Sequence, residues 1–335
     1  MFKFDTNIKE KIFICAGEPS GDLYGAHFVD LIKKGNPKIR FSGVGGPRMA
    51  YAGVEILGDY QGMSMMTFGF SAGLAGIASN YRTYRKICRL IRKTKPEIFI
   101  AVAYPGVNLL LCKYAKTNGA TVYYVMPPQI WAWGRFRKFF LKKWADQVIS
   151  FFPFEHRFLQ RVGIRSILLE NPLRQELLKY RRCDHKKRTG FMPGSRSSMI
   201  KRNMSIIQNL VAAMKGLEAG AGTEYVLILP PSLKQSSFQL PNPSLLTISH
   251  GHYQAMRDCD LLVTCSGTAS LEAAFMDIPQ VFFHRPSFFD YHIVRHFIRL
   301  KEYNLANLYF EKKVTASYVC RSIKGLVALL TKHLI

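Results

Sequence analysis

The sequence predicts an α/β protein made of two doubly wound parallel sheets with a cleft between them, and three observations carry that expectation. Short apolar runs alternate with helix-like patterns along most of the chain. The alternation breaks once, at the polar stretch Tyr180 to Thr189. A chain of 335 residues, 48% hydrophobic, also holds enough apolar material for two cores of roughly 150 residues each. The expected domains are residues 1–180 and 181–335.

In the first half the strand-like runs are Lys11 to Cys15, Arg40 to Val44, Glu97 to Val102, Thr121 to Val125 and Gln147 to Phe151. The first leads into Ala16-Gly17-Glu18-Pro19-Ser20-Gly21-Asp22 and then a helical pattern. Two glycines let the backbone close around a ligand, and a helix N-terminus supplies unpaired N–H groups. Carboxylates in that turn point to hydroxyls or protons as targets, hence to a sugar or nucleotide-sugar. The ordinary alternative is a βα loop in which Ser20 or Asp22 caps the helix.

Further on, Tyr60 to Tyr81 carries no charged residue, although its Gly, Ser and Thr content suits a surface-dipping segment better than a membrane span. Arg82, Arg85, Lys86, Arg89, Arg92 and Lys93 then recur at helical spacing around Ile87, Leu90 and Ile91. A second basic group, Arg135, Arg137, Lys138, Lys142 and Lys143, is interleaved with Phe136, Phe139, Phe140 and Trp144. That pattern suits lipid headgroups or single-stranded nucleic acid, and equally a helix with one core face.

Polar Arg181 to Arg188 reads as a linker, after which strands are expected at Arg188 to Met192, Tyr225 to Leu229, Leu246 to Ser249, Leu261 to Thr264 and Gln280 to Phe283. Met192-Pro193-Gly194-Ser195-Arg196 ends one strand and opens a helix, where Arg196 can pair with phosphate oxygens in bidentate fashion. Cys265-Ser266-Gly267-Thr268-Ala269-Ser270-Leu271-Glu272 follows another strand in the same way, and Glu272 is placed to accept from ribose hydroxyls. Two such turns, one with an Arg, suggest a nucleotide-diphosphate site, with plain helix capping by Ser195 and Ser266 as the alternative.

Lys and Arg total 47 against 22 acidic residues, a net charge of +25, so the partners should be anionic. The charge alone gives only non-specific phosphate affinity, and with no helix-turn-helix or RNA-stacking motif no specific nucleic-acid partner is expected. Seven cysteines show no CxxC or Cys/His spacing and read as reduced structural thiols of a cytoplasmic protein. The N-terminal Met1-Phe-Lys-Phe-Asp-Thr-Asn lacks the apolar core of a signal peptide, so export is not expected.

Six motifs in order carry a resemblance: Ala16 to Asp22, Gly43-Val-Gly-Gly-Pro-Arg-Met49, Trp131-Ala-Trp133, Phe152-Pro-Phe-Glu155, Pro193 to Arg196, and Ser266 to Ala269 with Glu272. Together, from about Lys11 to about Tyr309, the chain resembles the lipid-A-disaccharide synthases, which are GT-B glycosyltransferases. The resemblance implies two Rossmann-like domains facing across a cleft. The C-terminal one would bind the UDP part of UDP-2,3-diacylglucosamine. The N-terminal one would bind 2,3-diacylglucosamine 1-phosphate at the cytoplasmic face of the anionic inner membrane, and the products would be the β-1,6-linked disaccharide 1-phosphate and UDP. It implies no cofactor and no metal. Ser195 and Arg196 would hold the UDP phosphates, with Ser266, Gly267 and Thr268 lining the same site and Glu272 near the ribose. Asn307 would face the cleft as a catalytic group, and Trp131 and Trp133 would shape the acceptor region. Glu18, Ser20 and Asp22 would serve the first loop, and Tyr60 to Tyr81 with its basic helix would face the membrane.

The resemblance departs from the family at one chemically important place. Where the family carries Asp-x-Pro-Asp-x-Asn, this chain reads Ala103-Tyr104-Pro105-Gly106-Val107-Asn108. Asn108 is kept as a substrate-side amide, both acids are absent, and Glu18 becomes the candidate base by topology. Two functions fit: the transferase, and a UDP-sugar or lipid-binding relative without turnover. Asn171-Pro172 stands where the family tends to have His-Pro, and Ala306 replaces a Pro before Asn307. The segment after Asn307 is short, so the dimer that the family builds on terminal helices is not expected to rest on them here.

Overall fold

The computed structural model describes residues 11–60, 73–132, 134–180, 187–194, 197–216, 222–229, 246–249, 252–285, 302, 304–320 and 322–334. The chain divides into two compact units, Met1–Pro172 and Leu173–Ile335. The division precedes the expected boundary at 180 because helix α7 (Pro172–Leu177) and the turn after it pack into the second unit. Leu173 and Leu177 are buried, and the Tyr180 ring lies 5.5 Å from that of Tyr253.

The first unit is a seven-stranded sheet in the order β3-β2-β1-β4-β5-β6-β7, with every neighbouring pair parallel. Its strands are β1 (Lys11–Ala16), β2 (Arg40–Gly45), β3 (Val54–Asp59), β4 (Ile98–Val102), β5 (Thr121–Val125), β6 (Gln147–Ser150) and β7 (Ser166–Leu168). Central strands covered by helices on both faces must be apolar throughout, and all five residues of β4 are buried. The connecting helices are α1 (Pro19–Gly35), α2 (Pro47–Tyr51), α3 (Gly73–Thr94), α4 (Pro105–Thr117), α5 (Arg137–Trp144) and α6 (Pro153–Arg161). Ile87 and Ile91 of α3, Leu111 of α4, Leu141 of α5 and Leu159 of α6 share one core with Phe13, Phe99 and Tyr124 of the sheet. The strand order reverses between β1 and β4, which puts the expected ligand crevice at the loops following those two strands.

The second unit repeats the design with six parallel strands in the order β10-β9-β8-β11-β12-β13. These are β8 (Arg188–Met192), β9 (Glu224–Ile228), β10 (Thr247–Ser249), β11 (Leu261–Thr264), β12 (Gln280–His284) and β13 (Ala316–Val319). Helices α8 (Ser197–Lys215), α9 (His252–Arg257), α10 (Gly267–Phe275), α11 (Leu305–Phe310) and α12 (Ile323–Leu334) accompany them. Ile206, Ile207 and Leu210 of α8 pack with Leu326 and Leu330 of α12 against Phe191, Leu227, Val263 and Phe283. Here the order reverses between β8 and β11, whose following loops carry Ser195-Arg196 and Ser266-Gly267-Thr268.

Candidate functional site

In the first unit the loop after β1 turns sharply because Gly17 has no side chain. A Cβ there would lie 2.5 Å from the Tyr104 ring. Glu18 is the N-cap residue of α1 and is half-buried. Its backbone carbonyl accepts from the Asp22 amide at 3.0 Å, and its side chain makes no capping hydrogen bond. Pro19 at the first helical position brings no N–H, so the open donors of this terminus are the amides of Ser20 and Gly21. The Ser20 side chain is exposed. Glu18 and Ser20 therefore stand at the switch point with their side chains open to a ligand.

Asp22 and Asn108, expected on the substrate, are used inside the protein. The Asp22 carboxylate is 2% exposed and accepts from the amides of Gly46 (2.8 Å), Arg48 (3.0 Å) and Met49 (3.0 Å). It caps α2, not the helix it belongs to, and so ties the first loop to the turn after β2. Asn108 is fully buried, and its Nδ2 lies 3.0 to 3.2 Å from the carbonyls of Cys15, Val102 and Ala103. That amide clamps the ends of β1 and β4 side by side. Both residues shape the loops after β1 and β4. Asp22→Ala is expected to cost about 4 kcal/mol, since two buried N–H groups and a part-buried one lose a charged acceptor, while Asp22→Asn should cost about half of that. Urea midpoints at constant m-value check this, and a loss under about 1 kcal/mol for the Ala variant would contradict the bracket.

At the corner between β4 and α4, Ala103 (φ 49°) and Tyr104 (φ 44°) are both left-handed. The corner is held by the Tyr124 hydroxyl donating to the Ala103 carbonyl at 2.8 Å and the Tyr104 hydroxyl donating to Asn80 Oδ1 at 3.0 Å. Burial raises the Tyr104 phenol to about 12, and the nearby Cys15 and Glu18 add to that shift. Tyr104 thus stays protonated and serves as a packing wall beside Glu18.

Trp131 donates through Nε1 to Glu155 Oε1 at 3.2 Å, and Ser150 donates through Oγ to Glu155 Oε2 at 2.6 Å. Burial pushes the Glu155 carboxyl up from 4.5 to about 7, against the opposing pull of the Ser150 and Trp131 hydrogen bonds. Because the folded-state value is raised, the folded chain holds an extra proton between those two values. Stability from this group is full below about pH 4.5 and is lost as pH rises to about 7. Glu155→Gln should remove up to about 3 kcal/mol of that decline. Denaturant unfolding from about pH 5 to pH 8 reads it, and a slope identical to that of the native chain would exclude the assignment.

In the second unit, Ser266 is the N-cap of α10 with no side-chain cap bond. Ser266 and Gly267 are half-buried and Thr268 is exposed, so this helix N-terminus is also open. Glu272, one turn on, is buried and lies 3.3 Å from both His252 Nε2 and the Tyr253 hydroxyl of α9. Those neighbours hold the carboxylate in place without using all its lone pairs. At the β8 turn, Gly194 (φ 117°) has the backbone that favours glycine, and Asn203 of α8 donates to the Pro193 carbonyl at 2.9 Å. Ser195, Arg196 and Trp133 lie outside the described residues, as do residues 61–72 of the uncharged segment.

Asn307, expected as a catalytic group, has its side-chain amide engaged within the second unit. Its Oδ1 accepts from the amides of Val314 (2.8 Å) and Thr315 (3.0 Å). Its Nδ2 faces Glu302 Oε2 (2.8 Å), the Thr315 carbonyl (3.0 Å) and Ser317 Oγ (3.3 Å). With every donor and acceptor engaged and 5% of its surface exposed, Asn307 braces the turn from α11 into β13. Asn304 beside it caps α11 and accepts from Ser270 Oγ of α10 at 2.8 Å, which fixes α10 indirectly. Among the described residues no group of three or more His, Cys, Asp or Glu side chains is placed to hold a metal ion.

A family model for lipid-A-disaccharide synthetase matches residues 12–325. The chain belongs to that family. It is 32% identical over 314 residues to the lipid-A-disaccharide synthase of Nitrosococcus oceani, covering 89% of this chain and 79% of that one. The corresponding enzyme of Geobacter sulfurreducens is 32% identical over 327 residues, covering 93% and 84%. Among solved structures the chain resembles UDP-GlcNAc 2-epimerase from Neisseria meningitidis bound to UDP-GlcNAc, with TM-score 0.56, 11% identity and coverage of 96% and 98%. It also resembles MurG of Acinetobacter baumannii, with TM-score 0.51, 14% identity and coverage of 98% and 91%. At such identity these two report the fold, two parallel-sheet α/β domains of the GT-B kind.

As a lipid-A-disaccharide synthase family member the protein is a glycosyltransferase of lipid A biosynthesis. Sequence reasoning did not assign roles to Tyr104, Glu155, His252 or Tyr253. Glu155 could have been found, since a lone acid in an otherwise apolar Phe-Pro-Phe-Glu turn must be buried with partners. His252 and Tyr253 carry no local signal, because their proximity to Glu272 arises only once α9 and α10 are assembled.

Proposed function

We propose that this chain joins UDP-2,3-diacylglucosamine to 2,3-diacylglucosamine 1-phosphate, giving the β-1,6-linked disaccharide 1-phosphate and UDP, on the cytoplasmic face of the inner membrane. The reading is carried by one observation. Each unit leaves a helix N-terminus open at its topological switch point, and only that of the first unit carries an open carboxylate, Glu18. In this reading the 6-hydroxyl oxygen of the acceptor attacks C1 of the donor, the bond from C1 to the diphosphate breaks, and the hydroxyl proton passes to Glu18. The departing diphosphate is neutralised by Arg196, Ser195 and the amides of Ser266, Gly267 and Thr268. Glu272 accepts from the ribose. Trp131, Trp133 and Ser20 bound the acceptor, and Trp131 is supported in that task by its hydrogen bond to Glu155. No cofactor takes part in this scheme.

The deciding experiment incubates the purified chain with both lipids in detergent micelles and follows UDP release. Release above a heat-killed control, one UDP per disaccharide, is expected. Measurable UDP binding without release would instead make the chain a binding relative that does not turn over.

A further inference from the structure

Two groups of α9 face the buried Glu272 carboxylate of α10: His252 Nε2 lies 3.3 Å from Oε2, and the Tyr253 hydroxyl lies 3.3 Å from Oε1. A carboxylate only accepts, so both neighbours must donate. The imidazole proton therefore sits on Nε2, and Nδ1 is buried without a partner among the described residues. Each carboxylate oxygen receives one donor and offers about two acceptor sites, so one site on each oxygen stays open. Two open acceptors on one fixed group match a vicinal diol, whose two hydroxyls donate together.

The two donors are themselves fixed. The Tyr253 ring packs on Tyr180 (5.5 Å) and on His252 (5.0 Å), and α9 is anchored by the buried Ala255 and Met256. A glutamate has three side-chain torsions, and a ligand that must first freeze them loses affinity. Here folding has already frozen them. Thr268 and Glu272 are four residues apart, so they share one face of α10 about 6 Å apart along its axis. Thr268 is exposed at the open helix N-terminus that suits a diphosphate, and Glu272 keeps 10% of its side chain at the surface one turn further in. A nucleoside bridges that offset from its phosphates to its sugar hydroxyls.

We infer that His252 and Tyr253 are positioning residues for the donor nucleotide: by holding Glu272 with one acceptor site free on each oxygen, they make the second unit select a ribose over a deoxy sugar. The inference rests on the proposed function in placing a uridine diphosphate at the N-terminus of α10, and it adds the residues that set the sugar selectivity there. A carboxylate held ready for two hydroxyls is left unpaired by an analogue that lacks them. That penalty is the source of the selectivity.

The test is calorimetric binding of UDP and of 2′,3′-dideoxyuridine 5′-diphosphate to the full chain. The native chain should bind UDP at least about tenfold more tightly than the analogue. His252→Ala and, separately, Tyr253→Phe should each cut that preference to about threefold or less through weaker UDP binding, with the affinity for the analogue kept within about twofold. His252→Gln should restore most of the preference, because its amide N–H can take the place of Nε2–H. Tyr253→Phe keeps the ring contacts with Tyr180 and His252, so this variant should melt like the native chain. A change that merely loosens the fold would lower both affinities together and leave their ratio as it was. A native chain without the preference, or folded variants that keep it, would overturn the inference, while UDP release from micellar substrates would leave the transferase reading in place. Failure of the native chain to bind UDP would remove both. Preference lost as expected, with no UDP release in micelles, would uphold the positioning residues and remove the transferase reading.

Discussion

Ala103→Asp is expected to raise the rate of UDP release about 10²-fold or more, the lower part of the range that a positioned general base supplies. The reason is geometric. Ala103 sits at the carboxyl end of β4, beside β1, and its Cβ lies 3.7 Å from where a Cβ on Gly21 would be. A carboxylate introduced at this position would therefore project toward the first turn of α1, next to Glu18 and the open amides of Ser20 and Gly21, where the helix dipole favours its ionised form. The backbone needs no change, because Ala103 is already left-handed at φ 49° and Asp tolerates that region better than most residues. Its carbonyl is fixed by Tyr124 and Asn108, so the new side chain would start from a defined position. The measurement is UDP release at saturating substrate, with the melting temperature as a control for folding. A folded Ala103→Asp variant no faster than the native chain would show that the corner is not where the acceptor proton leaves.

This corner also shows what the sequence could and could not reveal. Interior strands were legible because a parallel strand covered on both faces must be apolar along its length. Ile-Phe-Ile-Ala-Val of β4 and Ile-Phe-Ile-Cys within β1 fit nothing else so short. The edge strands β3, β7 and β13 were missed for the converse reason. Each is half-exposed, and Val-Glu-Ile-Leu-Gly-Asp or Ser-Ile-Leu reads as a loop. At the switch point of each sheet, the loops that carry Glu18 and Ser266 could be located from their glycines, small residues and the strand before each. What each polar side chain does there could not. A crevice built from strand ends leaves many backbone N–H and C=O groups without a ladder partner, and these need side-chain partners as much as a substrate does. Asp22, Asn108 and Asn307 answer that need, yet in a sequence they look the same as ligands for a sugar. The two classes differ only in burial and in how many of their hydrogen-bonding sites are filled.

Glu18→Gln should lower turnover by about 10² to 10³ with little change in the KM for either lipid, since Gln keeps the shape and hydrogen bonding of the side chain but cannot accept a proton. Asp22 and Glu155 are not comparably open: Asp22 is filled by three amides, and Glu155 is buried between Trp131 and Ser150. The two substitutions should also depend on each other. If the carboxylate supplied by Ala103→Asp takes over the proton, adding Glu18→Gln to that variant should cost less than about tenfold, and the two changes would fail to add because they act on one step. Additive losses would mean that Glu18 orients the acceptor and leaves its proton to another group. Equal turnover of the single variant and the native chain would exclude Glu18 as the base. The pH profile distinguishes the remaining cases: removal of a base flattens the acid limb of kcat/KM, whereas loss of an orienting contact lowers the whole curve without changing its shape.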